Sequence, residues 1–203
     1  MGTLIVTEFV TLDGVAQAPG GPDEDSESGF THGGWQAPLS DDEAGDVMFE
    51  QASSMDALLL GRKTYEIFSN FWPTASEDIP FTGLLNRVPK YVATRTLTEP
   101  LGWTGSSVLG DSLAEDITAL KGRHDEIHVI GSLDLVQSLL RFGLVDRFEL
   151  WLYPLVLGTG KQVFADGTVP TTLQLIESVT YPSGTLQLTY DLAGPPTYGT
   201  MES

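Results

Sequence analysis

Leu58-Leu-Leu-Gly-Arg-Lys-Thr-Tyr-Glu66 reads as a short apolar strand that ends on glycine and runs straight into a helix. A wholly apolar run this short fits a strand buried on both faces, as in a parallel sheet. The turn that follows it has a physical use. Unpaired N–H groups and the positive end of the dipole meet at a helix start, so an anion can sit there. Glycine lets a ligand come close to the backbone. A second turn of the same kind is Ile130-Gly131-Ser132, after the strand-like Glu126 to Ile130. In a parallel sheet both turns lie at the carboxyl ends of strands, where open α/β folds bind ligands. Two phosphate-sized sites on one rim suit a dinucleotide. Each turn taken alone is equally compatible with a plain strand–helix connection. Neither G-x-G-x-x-G nor G-x-x-x-x-G-K-[ST] is present, so a standard Rossmann or P-loop reading fails.

Outward from these turns the chain alternates between strands and helices. Leu4 to Val10 is β-branched and apolar, a predicted strand. Residues 16–38 (AQAPGGPDEDSESGFTHGGWQAP) are rich in Gly, Pro and acids and read as a long loop, the kind that is a functional lid or disordered. Ser40 and Glu43 fit the S-x-x-E capping box, which predicts a helix to about Ser54. Further helices are predicted to about Phe71, over 81–88, from a second capping box at Ser112 and Glu115 to about Gly122, and over 133–142. Strands are predicted over 56–60, 90–94, 126–130 and 147–153. Residues 173–181 and 185–192 flank Pro182-Ser183-Gly184 as a β-hairpin. The alternation predicts an α/β fold in three layers, α/β/α, with a mostly parallel sheet and a C-terminal antiparallel hairpin at one edge. One domain is expected over 1–194, with a frayed tail over 195–203.

Composition narrows the chemistry. The 203 residues carry 28 Asp and Glu against 10 Lys and Arg, a net charge of -18. That argues against nucleic acid or anionic membrane as a partner. With no Cys there is no disulfide, no Cys-ligated zinc and no thiol catalysis. His32, His124 and His128 lack paired metal-ligand spacing, so no metal site is expected and surface or capping roles are. No apolar run approaches the length of a membrane span, and the start lacks a basic n-region, so a soluble cytoplasmic protein is expected. Residues 1–61 hold twelve acids and no Lys or Arg; all ten basic residues follow. A phosphate held by side-chain charge must therefore be held by the later part, where Arg62, Lys63, Arg95 and Lys161 lie in or beside Gly- or Thr-containing loops.

Several motifs resemble one superfamily. The 58–66 stretch resembles the Gly-Arg-x-Thr turn of dihydrofolate reductases, Thr11-Leu-Asp-Gly-Val15 their early strand end, and Gly34-Trp35-x-x-Pro38 their Trp-Pro segment. His128 to Ser132, Gly143 to Pro154 and Val156 to Lys161 look closer to the reductase domain of bacterial riboflavin-biosynthesis deaminase-reductases. The ordered set spans about residues 3–192, and no zinc deaminase motif accompanies it. The resemblance implies a dihydrofolate-reductase-like fold that binds NADPH. It would place Gly61, Arg62, Lys63 and Thr64 around the pyrophosphate, with Arg62 near the 2′-phosphate. Thr94, Arg95 and Thr96 would touch the adenosine end, Gly131 and Ser132 the pyrophosphate or nicotinamide ribose, and Val15, Ala16 and Gln17 the nicotinamide. The better-known members have Gly where Ile130 stands, which makes a strained backbone there more costly.

On the substrate side, Phe49 falls where dihydrofolate reductases carry a Phe one turn after their helix acid, but Gly45 stands at the acid's position. Asp42, Asp46 and Phe49 share a helix face. Asp46 is the candidate catalytic acid, with Asp13 at a strand end as the second, and Trp35, Asp42 and Phe49 are candidate substrate contacts; the alternative roles are a solvated helix start, a turn and a closed loop. The expected activity is hydride transfer from NADPH to a small heterocycle, imine or carbonyl, with a carboxylate or water supplying the proton. A loop and first helix without basic side chains argue against a phosphorylated substrate unless Lys161 or Arg147 reaches over. A non-catalytic ligand-binding protein on the same fold and a flavin-dependent oxidoreductase are the alternatives. The resemblance also implies a homodimer, for which Trp151 to Tyr153 could be core or interface.

Overall fold

The computed structural model describes residues 1–201. One mixed sheet organises them. Its strands are β1 (Thr3–Thr11), β2 (Ala57–Gly61), β3 (Lys90–Ala93), β4 (Ser106–Val108), β5 (Glu126–Ile130), β6 (Arg147–Tyr153), β7 (Leu173–Thr180) and β8 (Leu186–Leu192). They lie in the order β4-β3-β2-β5-β1-β6-β8-β7. The first six run parallel; β8 is antiparallel to β6, and β7 to β8. The mostly parallel sheet with a C-terminal hairpin is thus as the alternation predicts. β4 is not: its Ser-Ser-Val is too short and too polar to register as a strand.

The helices are α1 (Asp42–Ala52), α2 (Arg62–Phe71), α3 (Pro80–Arg87), α4 (Leu113–Lys121) and α5 (Leu133–Arg141). Strand side chains alternate between faces, so the sheet has two cores. Leu4, Val6 and Val10 of β1 pack with Leu59, Val129, Ile117 of α4 and Leu139 of α5. On the other face Leu58, Leu60 and Val92 meet Tyr65 of α2 and Leu85 of α3, and Trp151 and Tyr153 meet Trp35 and Ala44 of α1. Trp151 and Tyr153 are therefore core.

Both capping boxes are corrected. Helix α1 starts one residue later than predicted, with Asp41 as its cap: its Oδ1 accepts from the N–H groups of Glu43 and Ala44. Asp caps as well as Ser does, and its carboxylate also suits the helix dipole. Ser112 stands at the start of α4 but its side chain makes no cap bond. His128 is corrected too; it lies inside β5, 1% exposed, with neither ring nitrogen hydrogen-bonded among the described residues. Burial lowers its pKa, so it is a neutral core residue. No helix among the described residues is long and apolar enough to cross a membrane. Residues 195–200 carry only a bend and Met201 no regular structure; Glu202 and Ser203 of the expected tail lie outside the described residues.

Candidate functional site

A cleft of about 1070 Å³ runs along the carboxyl ends of β3, β2, β5 and β1. That is at the upper end for small-molecule sites. Strand β5 inserts between β2 and β1, so the two glycine turns predicted to share a rim are neighbours. They touch: the Gly61 N–H donates to Ser132 Oγ at 2.9 Å. The Gly131 N–H donates to Thr7 O at 3.3 Å. The two glycine amides are thus used internally. The donors left for an anion are the first-turn N–H groups of α2 and α5, and neither helix has a side-chain cap. The strained residue is Ser132, left-handed at φ 65 directly after Gly131 at φ 64, rather than Ile130. The bond from Gly61 helps hold it there.

Of the cofactor candidates, Ala16, Gln17, Gly61, Arg62, Lys63, Thr64, Thr94, Arg95, Thr96, Gly131 and Ser132 all line this cleft. Val15 does not; it is buried behind it, bridged to Gln162. Arg62 is held by Glu66 on its own helix at 2.8 Å, whereas exposed Arg95 makes no ion pair among the described residues. Thr94 Oγ1 accepts from the Thr96 and Leu97 amides, which fixes the turn after β3.

The substrate candidates lie elsewhere. Asp46 and Asp42 are exposed and outside the cleft lining. Phe49 packs edge-on against Phe81 at 5.4 Å. Trp35 is buried, its indole N–H donating to Gln17 O at 2.8 Å, so it closes the loop. Asp13 forms a turn: the Thr11 hydroxyl and the Leu157 and Gly158 amides all donate to its carboxylate. The Thr11 bond foremost lowers its pKa. None of these five candidates lines the cleft, so neither Asp46 nor Asp13 supplies an acid to it.

Three sets of acids that sequence reasoning passed over stand out: Asp25 with Glu27, Glu149, and Glu8. The long loop is ordered and pinned by Gln17, whose Nε2 donates to Asp25 O and Glu27 O and whose Oε1 accepts from Lys161 N–H. Over the cleft, Asp25 and Glu27 bind both Lys63 and Lys161, with Asp25 at 3.0 and 2.7 Å from the two ammonium groups. Burial opposes ionisation of Asp25, but the two lysines hold its pKa down to about 2. Lys161 does reach over, as the sequence allowed, but to carboxylates of the chain's own loop. Second, Glu149 of β6 is buried and accepts from the Thr7 hydroxyl at 3.0 Å; burial raises its pKa. Thr7 is in register with both Glu149 and Ile130, so this acid stands two strands from a cleft-lining residue on one sheet face. Third, Glu8 of β1 lines the cleft while 1% exposed.

A mostly parallel α/β sheet with two uncapped helix starts over one cleft at its carboxyl rim defines the class: an α/β protein with a ligand-sized cleft where open sheets of this kind bind ligands. More particularly, the chain belongs to the RibD C-terminal domain family, whose model matches residues 2–187. The superfamily resemblance read from the motifs is borne out, and the fold is the dihydrofolate-reductase-like arrangement. The chain is 26% identical over 199 residues to the protein YyaP of Bacillus subtilis (strain 168), covering 94% of this chain and 95% of that one. A pyrimidine reductase-like protein from Corynebacterium diphtheriae is similar in structure, with a TM-score of 0.66 at 16% identity over 95% of this chain and 92% of that one. So is a diaminohydroxyphosphoribosylaminopyrimidine deaminase/5-amino-6-(5-phosphoribosylamino)uracil reductase from Thermotoga maritima, with a TM-score of 0.62 at 16% identity over 95% of this chain and 57% of that one.

Proposed function

We propose that this protein is an NADPH-dependent reductase of a small planar heterocycle or imine, similar in chemistry to the reductase named for the Thermotoga relative. The observation that carries the reading is the pair of uncapped helix starts, α2 and α5, joined through Gly61 and Ser132 at the cleft. The cradle has room for such a group. A Cβ at Gly61 would stand 3.5 Å from the Ser132 Cβ, so glycine leaves the notch open. NADPH, when bound, would supply the hydride. The first-turn amides of α2 and α5 would hold the diphosphate, Thr94 to Thr96 the adenosine end, and Ala16 and Gln17 would flank the nicotinamide. The loop latched by Asp25 and Glu27 would exclude water from the reacting pair. Because these carboxylates already occupy Lys63 and Lys161, an unphosphorylated substrate suits the site better than a phosphorylated one.

Arg62 is proposed to read the 2′-phosphate. Arg62→Ala should then weaken NADPH by about tenfold and NADH much less, read by quenching of the four Trp; equal losses would remove that role. Turnover is tested by following NADPH absorbance with pyrimidine-ribitol phosphates, folates, quinones and imines as acceptors. Oxidation with an unphosphorylated acceptor supports the reading. Binding without oxidation of any acceptor favours a non-catalytic binding protein, a reading that exposed Asp46 and Gly45 also suit.

For the proton we propose Glu149 acting through its hydrogen-bonded partner, the Thr7 hydroxyl, since Glu149 itself stands outside the cleft lining. Thr7 donates to Glu149 Oε2, and burial keeps the acid protonated above the ordinary carboxylate range. Glu149→Gln should lower kcat by about two orders of magnitude with NADPH affinity unchanged. In the wild type kcat should fall as pH rises through the raised pKa, and the variant should lose that dependence. An unchanged kcat would assign the proton to water.

A cytoplasmic homodimer is part of the proposal. Edge strand β7 exposes Leu175 at 51% and Ile176 at 49%, a sheet edge of the kind that a second copy covers. Light scattering should give twice the chain mass, and a strict monomer would contradict it.

A further inference from the structure

Along β1, Leu4, Val6, Glu8 and Val10 alternate onto one face, and the other three are buried in the core beneath α4 and α5. Glu8 is the polar exception in an apolar row. Its Oε1 is buried and finds no hydrogen-bond partner, and its side chain lines the cleft wall. Burial alone moves its pKa well above the ordinary value, so it stands as a neutral carboxylic acid. An unpartnered buried polar group is costly unless something completes it.

The sheet order says what would lie beside it. The turns after β3, β2 and β5 line the cleft in sequence, and β1 is the next strand along. A dinucleotide laid across this rim, adenosine at Thr94 to Thr96 and diphosphate between α2 and α5, brings its second ring to β1. Three strand spacings, about 14 Å, separate the two ends. Glu8 sits next to Thr7, whose carbonyl takes the Gly131 N–H, so it flanks the α5 turn on the side away from α2. A neutral carboxyl presents an O–H donor and a carbonyl acceptor side by side. A primary carboxamide presents the complementary pair.

We propose that Glu8 recognises the carboxamide of the nicotinamide ring through a two-point acid–amide pair. This rests on the NADPH reading above and adds a specificity residue to it. The pair also explains why an acid stands in an apolar row: the ligand satisfies the oxygen that the protein leaves bare.

The test compares NADPH with its 3-acetylpyridine analogue, whose ring amide NH₂ is replaced by methyl, in Trp-quenching titrations of wild type, Glu8→Gln and Glu8→Leu. Wild type should prefer the carboxamide by about tenfold or more. Glu8→Gln, which keeps a donor and an acceptor, should retain most of that preference. Glu8→Leu should bind both ligands about equally. A purely structural effect would shift both affinities together and leave their ratio unchanged. A Glu8→Leu variant that discriminates as wild type does overturns this proposal alone, and a wild type that binds neither ligand overturns the cofactor reading with it.

Discussion

Gly61→Asp is expected to raise the NADPH dissociation constant by about two orders of magnitude while leaving thermal stability unchanged or higher. Gly61 is the N-cap of α2, in extended conformation at φ -74, with no side-chain cap bond. An Asp there suits the backbone and would cap the helix, which is neutral to favourable for folding. Its Cβ would meet the Ser132 and Leu135 Cβ atoms at 3.5 and 3.6 Å, ordinary contact distances, so the fold need not move. The carboxylate would then project into the notch between the two helix starts, where the diphosphate is proposed to bind. It would take the same amides and repel the ligand. Separate readouts, melting temperature and NADPH affinity, keep folding and binding apart. A variant that binds NADPH as tightly as wild type would place the anion elsewhere.

Gly160→Ala is expected to destabilise the protein by about 3 kcal/mol, roughly 6–12 °C in melting temperature for a chain of this size. The backbone there is at φ 125, and an added Cβ would stand 2.6 Å from Val15 Cγ1 and 2.9 Å from Phe30 Cε2. Both neighbours are buried, so neither can swing into solvent. Phe30 belongs to the long loop and Val15 to its root, while Lys161 beside Gly160 carries the latch to Asp25 and Glu27. The same substitution should therefore also loosen the loop and weaken cofactor retention. Calorimetry showing an unshifted melting temperature would mean that the loop can relax at no cost.

Much of the rim was legible because its signals are local. A strand of three leucines ending on Gly61 and a second ending at Gly131 predict two helix starts at strand ends, and parallel pairing puts such ends on one side. That the two are neighbours depends on β5 entering between β2 and β1, a long-range pairing with no local mark. The acids illustrate the limit. Helix spacing points to Asp46 and a strand end to Asp13, and the chain uses one at the surface and the other to bind loop amides. Glu8 and Glu149 sit in strands where alternation alone reads an acid as solvent-facing; only the helices packed over both faces of the sheet bury them. The loop of residues 16–38 looked unstructured by composition, yet Gln17, two lysines distant in sequence and Trp35 tie it down. Ser40 lost its cap role to Asp41 for a simpler reason, since adjacent residues with similar capping strength compete and the sequence does not rank them.

The central claim is that α2 and α5 jointly grip the diphosphate of a nicotinamide dinucleotide. A crystal structure of the protein with NADPH tests it most directly. The expected result is diphosphate oxygens within hydrogen-bond distance of first-turn amides from both Arg62–Thr64 and Ser132–Leu135, with the nicotinamide beside Glu8. NADPH bound away from this rim, or held by one helix start alone, would contradict the account.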